Sequence, residues 1–505
     1  MNASAERSRS LWGKSLEIPG ASPLTSDAAV DVLVLGAGIA GLSTAYELAR
    51  AGREVMVLDR GPIGGGMTAR TTAHLASALD DYYHELIAAR GIDVARQVCR
   101  AQIEAIDRVE AIVGEEGIAC DFRRVDGYLF PGAPADADAL AKEHDAARRV
   151  GLDVAWEERA PLPGARERCL RFANQARFHP LRYLGGLVRC LERDGGRLHA
   201  GTTAADVAPQ GDGTVLVRTA SGAAVTARHC VVATNSPFNE VEVHYKQAPY
   251  RTYALAGRVP RGSVVDALFW DTLDPYHYVR IQPGDDGASD WLVVGGEDHK
   301  TGEADDMDAR FARLEAWTRE LFPAFARPER RWSGQVLEPV DHAALIGRSA
   351  AAPNVYLATG DSGQGITNGV AASLMIRELV AGREAAYAPA HDPNRAVRSA
   401  VGEFLAENLD AAGKLVAKAL PGDVASVDEI GPGEGAVVRQ GLRKLAVYRD
   451  PSGVLHSRSA ECTHAGCIVR WNPFETCWDC PCHGSHFAPD GTAINAPAVE
   501  PLADA

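Results

Sequence analysis

The sequence contains no run of 18 apolar residues, which is about the length a membrane-crossing helix requires. Its opening, MNASAERSRSLWGKSLEIPG, lacks the apolar core of a secretory leader and the paired arginines of a twin-arginine leader. The expectation is a cytoplasmic chain with no transmembrane segment. Positive charge is scarce: 52 Lys and Arg stand against 67 Asp and Glu, a net charge of -15 that repels phosphate backbones and excludes nucleic acid as a partner. Internal repeats and low-complexity tracts are missing too. Hydrophobic residues at 46% and charged residues at 24% are ordinary globular values, so 505 residues suffice for about three domains with sizeable cores.

The ten cysteines are unevenly spread. Cys99, Cys120, Cys169, Cys190 and Cys230 stand singly and read as small buried hydrophobes, whereas five crowd between Cys462 and Cys482, a density that points to binding. Residues 1–27 are polar and turn-rich and read as an arm wrapped on the surface. Asp31–Leu35 has the pattern of a buried strand, Gly41–Arg50 that of a helix capped by Gly52, and Glu54–Leu58 that of a second strand. Helical periodicity dominates from about 85 to 155, and β-branched strands alternate with short helices from 170 to 330. Asn394–Leu420 reads as an amphipathic helix closed by Pro421 and Gly422, a linker within 392–425. Beyond it, residues 426–505 alternate in the β manner and read as a small all-β domain.

Gly36-Ala37-Gly38-Ile39-Ala40-Gly41 is a G-x-G-x-x-G between the first strand and the helix, and Asp59 ends the second strand 23 positions after Gly36. Gly36 makes the tight turn and Gly38 admits a pyrophosphate to the helix N-terminus. Gly41 lets helix and strand pack, and Asp59 accepts a ribose hydroxyl. An ordinary glycine turn between strand and helix is the plain alternative. A second turn, Gly360-Asp361-Ser362-Gly363-Gln364-Gly365-Ile366-Thr367, would aim backbone N–H groups and a helix dipole at a ligand group that gathers negative charge, with an ordinary helix start, Gly363 and Gly365 as its turn residues, as the plain alternative.

The run DVLVLGAGIAGLSTAYELARAGREVMVLDRG, followed by GGGMTARTTAHLAS, resembles the entry to FAD-dependent oxidoreductases of the D-amino-acid oxidase and glycine oxidase superfamily. Arg331-Trp332-Ser333-Gly334 with Asp341 and Ile346-Gly347 is similar to a later segment of that superfamily, and Tyr356–Thr367 to its final strand, turn and helix beneath the flavin. His342-Ala343-Ala344-Leu345 departs from the usual Gly-Leu-Pro there. The resemblance implies an α/β plus α+β flavoenzyme over 28–391, a Rossmann-like FAD-binding domain (about 28–85, 155–235 and 330–391) interleaved with a sheet-based substrate domain (about 86–154 and 236–329). It also implies that Arg60, Arg70, Thr71 and Thr72 join the glycine residues around noncovalent FAD. His74 is offset from the family's covalent histidine.

Cys462-Thr463-His464, fifteen residues, then Cys480-Pro481-Cys482-His483 can offer two thiolates to one iron and two imidazoles to another, the ligation of a Rieske [2Fe-2S] centre. A zinc ribbon is the alternative, but its knuckles are spaced otherwise. CTHAGC and CPCHGSHF resemble the Rieske family closely. That resemblance implies metal ligands Cys462, His464, Cys480 and His483 and a disulfide between Cys467 and Cys482. Ser485 matches a serine that hydrogen-bonds the cluster, and Phe487 stands where high-potential members carry tyrosine, so an intermediate potential is expected. Cys477 receives no role.

On the substrate side, Pro275–Arg280 reads as a strand whose period of two puts Tyr276, Tyr278 and Arg280 on one face and His277 and Val279 on the other. Arg251 could grip a substrate carboxylate, and Lys246 and Trp332 could neighbour the flavin. The resulting expectation is oxidation of a small amine or amino acid, with electrons passing through the cluster to an external one-electron acceptor. The alternative is a flavin and Rieske electron-transfer component or redox sensor with no amine substrate of its own. A reductase fed by NAD(P)H would need a second G-x-G-x-x-G, and none occurs.

Overall fold

The computed structural model of the chain describes residues 5–13, 21–133, 136–165, 167–397, 420–441 and 443–505. Of the helix expected over 394–420, residues 398–419 lie outside the described residues.

Four parallel strands form the centre of the first sheet: Val355–Thr359, Ala224–Val232, Ala28–Leu35 and Val55–Leu58, in that spatial order. Val32, Leu33 and Val34 are fully buried, as continuous apolar runs in a sheet covered on both faces require. The helix Ile39–Arg50 follows the first strand, and the helix Gly365–Val380 packs against it. Both helices therefore begin at the carboxyl ends of the strands that precede them, the place where open α/β sheets bind ligands.

A second, mostly antiparallel sheet is built around the long strands Gln247–Pro260 and Ser289–Lys300, flanked by Arg330–Pro339 and His277–Pro283. The C-terminal part holds two small antiparallel sheets. One comprises Gly435–Gln440, Arg443–Arg449 and Leu455–Ser459, and the other Arg470–Asn472, Cys477–Asp479, His486–Phe487 and Ala493–Asn495.

The N-terminal arm corrects the surface expectation. Glu6, Ser10 and Trp12 are buried. The Trp12 indole N–H donates to the Thr71 carbonyl (2.6 Å), and Glu6 meets Arg70 (3.1 Å), Arg251 (3.4 Å) and His486 (2.9 Å). The arm is drawn in because two arginines from the second sheet's neighbourhood need a carboxylate, and a buried guanidinium without one is costly.

Candidate functional site

One cavity of about 1650 Å³, its open mouth included, runs from the first glycine turn to the second. At Gly36 φ is +106° and a Cβ would overlap the Ala233 carbonyl, while a Cβ at Gly41 would overlap the Gly36 carbonyl. Gly41 thus does the helix-against-strand packing and does not line the cavity, whereas Gly36, Gly38, Ile39 and Ala40 do. Asp59 is pinned at the strand end by the N–H groups of Ala37 (2.7 Å) and Gly61 (2.8 Å). Thr68, within GGGMTARTTAHLAS but not singled out there, accepts the Ile39 N–H on its hydroxyl (2.9 Å) at the helix start.

The opposite wall carries Gly360, Gly363, Gln364, Gly365 and Ile366. Thr367 lies behind it, donating to the Ala76 carbonyl at 3.2 Å. Thr71 and Thr72 also line the cavity. Three buried amide atoms on the lining, Asn235 Nδ2, Gln335 Nε2 and Gln364 Oε1, have no hydrogen-bond partner among the described residues. Glycine cradles at both ends and unsatisfied amides between them fit a long polar heterocyclic ligand such as FAD.

Two expected cofactor contacts are spent elsewhere. The Arg70 guanidinium turns away to Glu475 (2.9 Å) and the Ser333 carbonyl (2.7 Å), and that of Arg60 donates to the carbonyls of Ala493 and Ala498 (3.2 Å each). Both arginines therefore hold the C-terminal part in place. Lys246 donates to the Pro393 carbonyl (2.7 Å) and Trp332 to the Arg70 carbonyl (2.8 Å), and neither lines the cavity.

Tyr276 and Tyr278 do line it, their rings 5.3 Å apart, while His277 faces the other way to Asp271 (2.9 Å) and Trp317. The expected alternation of faces is present. The expected arginine grips are not. Arg280 is fully buried, donating to the Thr72 and Phe178 carbonyls with its guanidinium over Trp12, and Arg251 is fully buried against Asp479 (2.7 Å) and Ser333 (2.9 Å). Strand periodicity set the direction of Arg280, and the chemistry of a guanidinium suggested Arg251, but neither could show that carbonyls and a distant carboxylate already occupy them.

What sequence reading missed is a set of carboxyls at this end. Tyr276 donates to Asp80 (2.9 Å), and Asp298 shares the Thr252 hydroxyl with Tyr278. Burial pushes Asp80 up to about 8 and Asp298 to about 7, and it raises Asp361 to about 6. His74, also on the lining, is lowered to about 3 by burial and by Arg280, so its imidazole is neutral.

The second site lies in two loops of the C-terminal part. Cys462 N–H donates to the Cys467 carbonyl (2.8 Å) and Cys480 N–H to the Ser485 carbonyl (2.8 Å), closing each loop on itself. The loops are joined by a Cys467–Cys482 disulfide. The Cys480 thiol hydrogen-bonds Cys462 and lowers the Cys462 thiol, and the rings of His464 and His483 stand 4.9 Å apart. The sulfurs of Cys467, Cys480 and Cys482 lie within 4.8 Å of one another, but two of them are bonded together, so that trio is no ligand set. Two facing thiols and two adjacent imidazoles fit a [2Fe-2S] cluster. Ser485 hydrogen-bonds Cys462, and Phe487 is fully buried.

The cluster loops face inward. His244 packs its ring 5.0 Å from His464 and 5.3 Å from His483, and Tyr245 lies 6.1 Å from His483. Gly484, at φ +74°, abuts Gln335 so closely that a Cβ would strike its amide, and Asn495 bridges the Gly484 carbonyl (3.0 Å) and Gln335 (3.4 Å). Because Gln335 lines the large cavity, the loop of the ligand His483 abuts the cavity wall.

Residues 31–379 match the family described as FAD dependent oxidoreductase, and residues 421–505 match the Rieske [2Fe-2S] domain. A putative Rieske 2Fe-2S iron-sulfur protein of Bacillus subtilis, YhfW, is 31% identical over 98% of this chain and 97% of its own length. Gamma-glutamylputrescine oxidoreductase of Escherichia coli is 25% identical, covering 70% of this chain and 84% of its own. Glycine oxidase from Geobacillus kaustophilus superposes with a TM-score of 0.61 over 74% of this chain and 100% of its own at 16% identity, a likeness of fold. The chain belongs to the FAD dependent oxidoreductase family, as a flavoenzyme with FAD and a [2Fe-2S] cluster for cofactors and a Rieske domain as its C-terminal part.

Proposed function

We propose that the protein oxidises a small amine or amino acid at the carbon next to nitrogen and discharges the electrons through the Rieske domain to an external one-electron acceptor. Bound FAD supplies a two-electron hydride acceptor and the bound cluster a one-electron carrier. The chain's part is positional. Gly36, Gly38, Ile39 and Ala40 receive the pyrophosphate and Asp59 a ribose hydroxyl. Gly363, Gln364, Gly365 and Ile366 offer backbone N–H groups to the ring, and Tyr276 and Tyr278 orient the substrate. As the substrate's C–H bond breaks, its nitrogen lone pair closes a C=N bond that water then hydrolyses. The domain division given above, with the helical linker over 392–425, belongs to the same reading.

The observation that carries it is the contact of Gly484 with Gln335, which sets the loop of the ligand His483 against the cavity wall. A sensor domain would have no need of so short a path. Cys462→Ala is expected to keep its rate of anaerobic flavin bleaching by substrate and to lose turnover with a one-electron acceptor. Unchanged turnover in a folded, FAD-loaded variant would overturn the relay.

A further inference from the structure

The dinucleotide-binding walls account for one end of the cavity, and the other end has a different chemistry. Asp80, Asp298 and Asp361 line it, and Asp81 and Glu338 stand close enough for their charge to act on the others. The Asp80 carboxylate fills the space that a side chain at Gly363 would need, and it accepts the Tyr276 hydroxyl at 2.9 Å. Asp298 Oδ1 is buried and has no hydrogen-bond partner among the described residues.

What this end lacks, among the described residues, is a cation directed into it. The lining includes no lysine, and Arg70 is its one arginine, with the guanidinium directed to Glu475 and Glu6. His74 is neutral, His342 stands 3.6 Å from Asp81, and behind Asp298, off the lining, lie His277 and Arg310, whose guanidinium is held by the Glu297 and Asp298 carbonyls (2.8 and 3.2 Å). Arg251 and Arg280 are engaged outside the cavity. An amino-acid carboxylate entering here would meet carboxyls and no guanidinium, an arrangement that repels it. An ammonium group would satisfy the orphaned Asp298 oxygen and relieve the mutual repulsion.

We propose that the substrate is an alkylamine bound as its cation, with no carboxylate on the reacting carbon. Asp298 and Asp80 hold its ammonium group, and Trp270 and Tyr278 lie against its chain. The nitrogen must be neutral before the adjacent C–H can leave as hydride. The ionised Asp298 carboxylate takes that proton: an N–H bond breaks, an O–H bond forms, and the proton passes to water when the product leaves. The inference rests on the amine-oxidation reading for its chemistry, yet binding tests it without turnover.

The FAD-loaded full chain is titrated with tert-butylammonium, pivalate and tert-butanol, three ligands of one shape, read by flavin absorbance and melting temperature. None can be oxidised, because the carbon beside the amine nitrogen bears no hydrogen. The ammonium is expected to bind at least tenfold more tightly than the other two, and Asp298→Asn and, independently, Asp80→Asn to weaken it at least tenfold. Pivalate binding as tightly as the ammonium would overturn the proposal. So would equal binding of the alcohol, which would mean a neutral pocket of protonated carboxyls, or full affinity in both folded variants. Binding of the ammonium without flavin bleaching by any oxidisable alkylamine would overturn the amine-oxidation reading, and with it the alkylamine as substrate, while leaving the carboxyl group as a cation-binding site. Bleaching by amino acids but by no simple alkylamine would do the reverse.

Discussion

Two groups of carboxyls in this molecule behave in opposite ways. At the junction between the N-terminal arm, the flavoenzyme part and the Rieske domain, Glu6, Glu475 and Asp479 face Arg70, Arg251 and His486. Burial alone would raise Glu6 and Asp479, but Arg70, Arg251 and His486 at Glu6, and Arg251, His486 and Asn472 at Asp479, outweigh it and hold both below the usual carboxylate range. In the cavity, the half-buried Asp80, Asp298 and Glu338 are pushed up: burial acts there together with neighbouring carboxylates, and the Arg310 and His277 charges near Asp298 do not outweigh it. The difference separates two uses of buried charge. The junction is complete within the chain and serves to dock the domains, whereas the cavity group is left incomplete in the way a binding site is.

The comparison breaks most visibly if a junction cation is removed. Arg251→Met leaves Asp479 and Glu6 buried with one guanidinium fewer, so the folded state is expected to lose about 3–5 kcal/mol, checked by urea unfolding of the full chain. A loss below about 1 kcal/mol would mean that water reaches the junction and screens it. The middle effect concerns what docking achieves. Gly484→Val puts a branched side chain at φ +74° against Gln335 and Pro249, which forces the cluster loop off the cavity wall. Turnover with a one-electron acceptor is expected to fall about tenfold or more, a barrier change of roughly 1.4 kcal/mol, while anaerobic flavin reduction stays at the parent rate. Equal losses in both half-reactions would show that the loop shapes the substrate end instead.

The same two regions explain what the sequence could and could not disclose. The cluster ligands are confined to two short loops between Cys462 and His483, and the glycine turn is a strand, turn and helix in succession, so spacing alone carries their chemistry. The carboxyl group is assembled from residues as far apart as Asp80, Asp298 and Glu338, which only the packing of two sheets brings together. One signal was available. Glu297-Asp298-His299 ends the otherwise apolar strand WLVVGG, and charge at the end of a buried strand marks a functional edge. Arg251 and Arg280 were misread for the converse reason. A strand's alternation tells which way a guanidinium points, but the occupants of that space come from residue 6, residue 479 and the carbonyl of residue 72.

The smallest expected effect is also the one that sets the two groups against each other in a single measurement. Glu6 and Asp479 are depressed in the folded state, so the stability they contribute is present above the unfolded carboxylate value of about 4 and is lost as pH falls below it. Asp298 and Asp80 are raised, to about 7 and about 8, so the folded protein binds more protons than the unfolded chain between about pH 4 and those values. Stability of the ligand-free, FAD-loaded protein must therefore fall as pH rises through that window. Asp298→Asn removes one such group and is expected to stabilise the protein at pH 7 by on the order of 1 kcal/mol while flattening the alkaline limb, with the acid limb unchanged. Melting temperatures of parent and variant between pH 4 and 9 check this, and a variant less stable than the parent at pH 7 would mean that Asp298 is already paired in the resting protein. A gain in stability beside a loss of amine affinity would identify the carboxyl as a group kept for its ligand at the fold's expense.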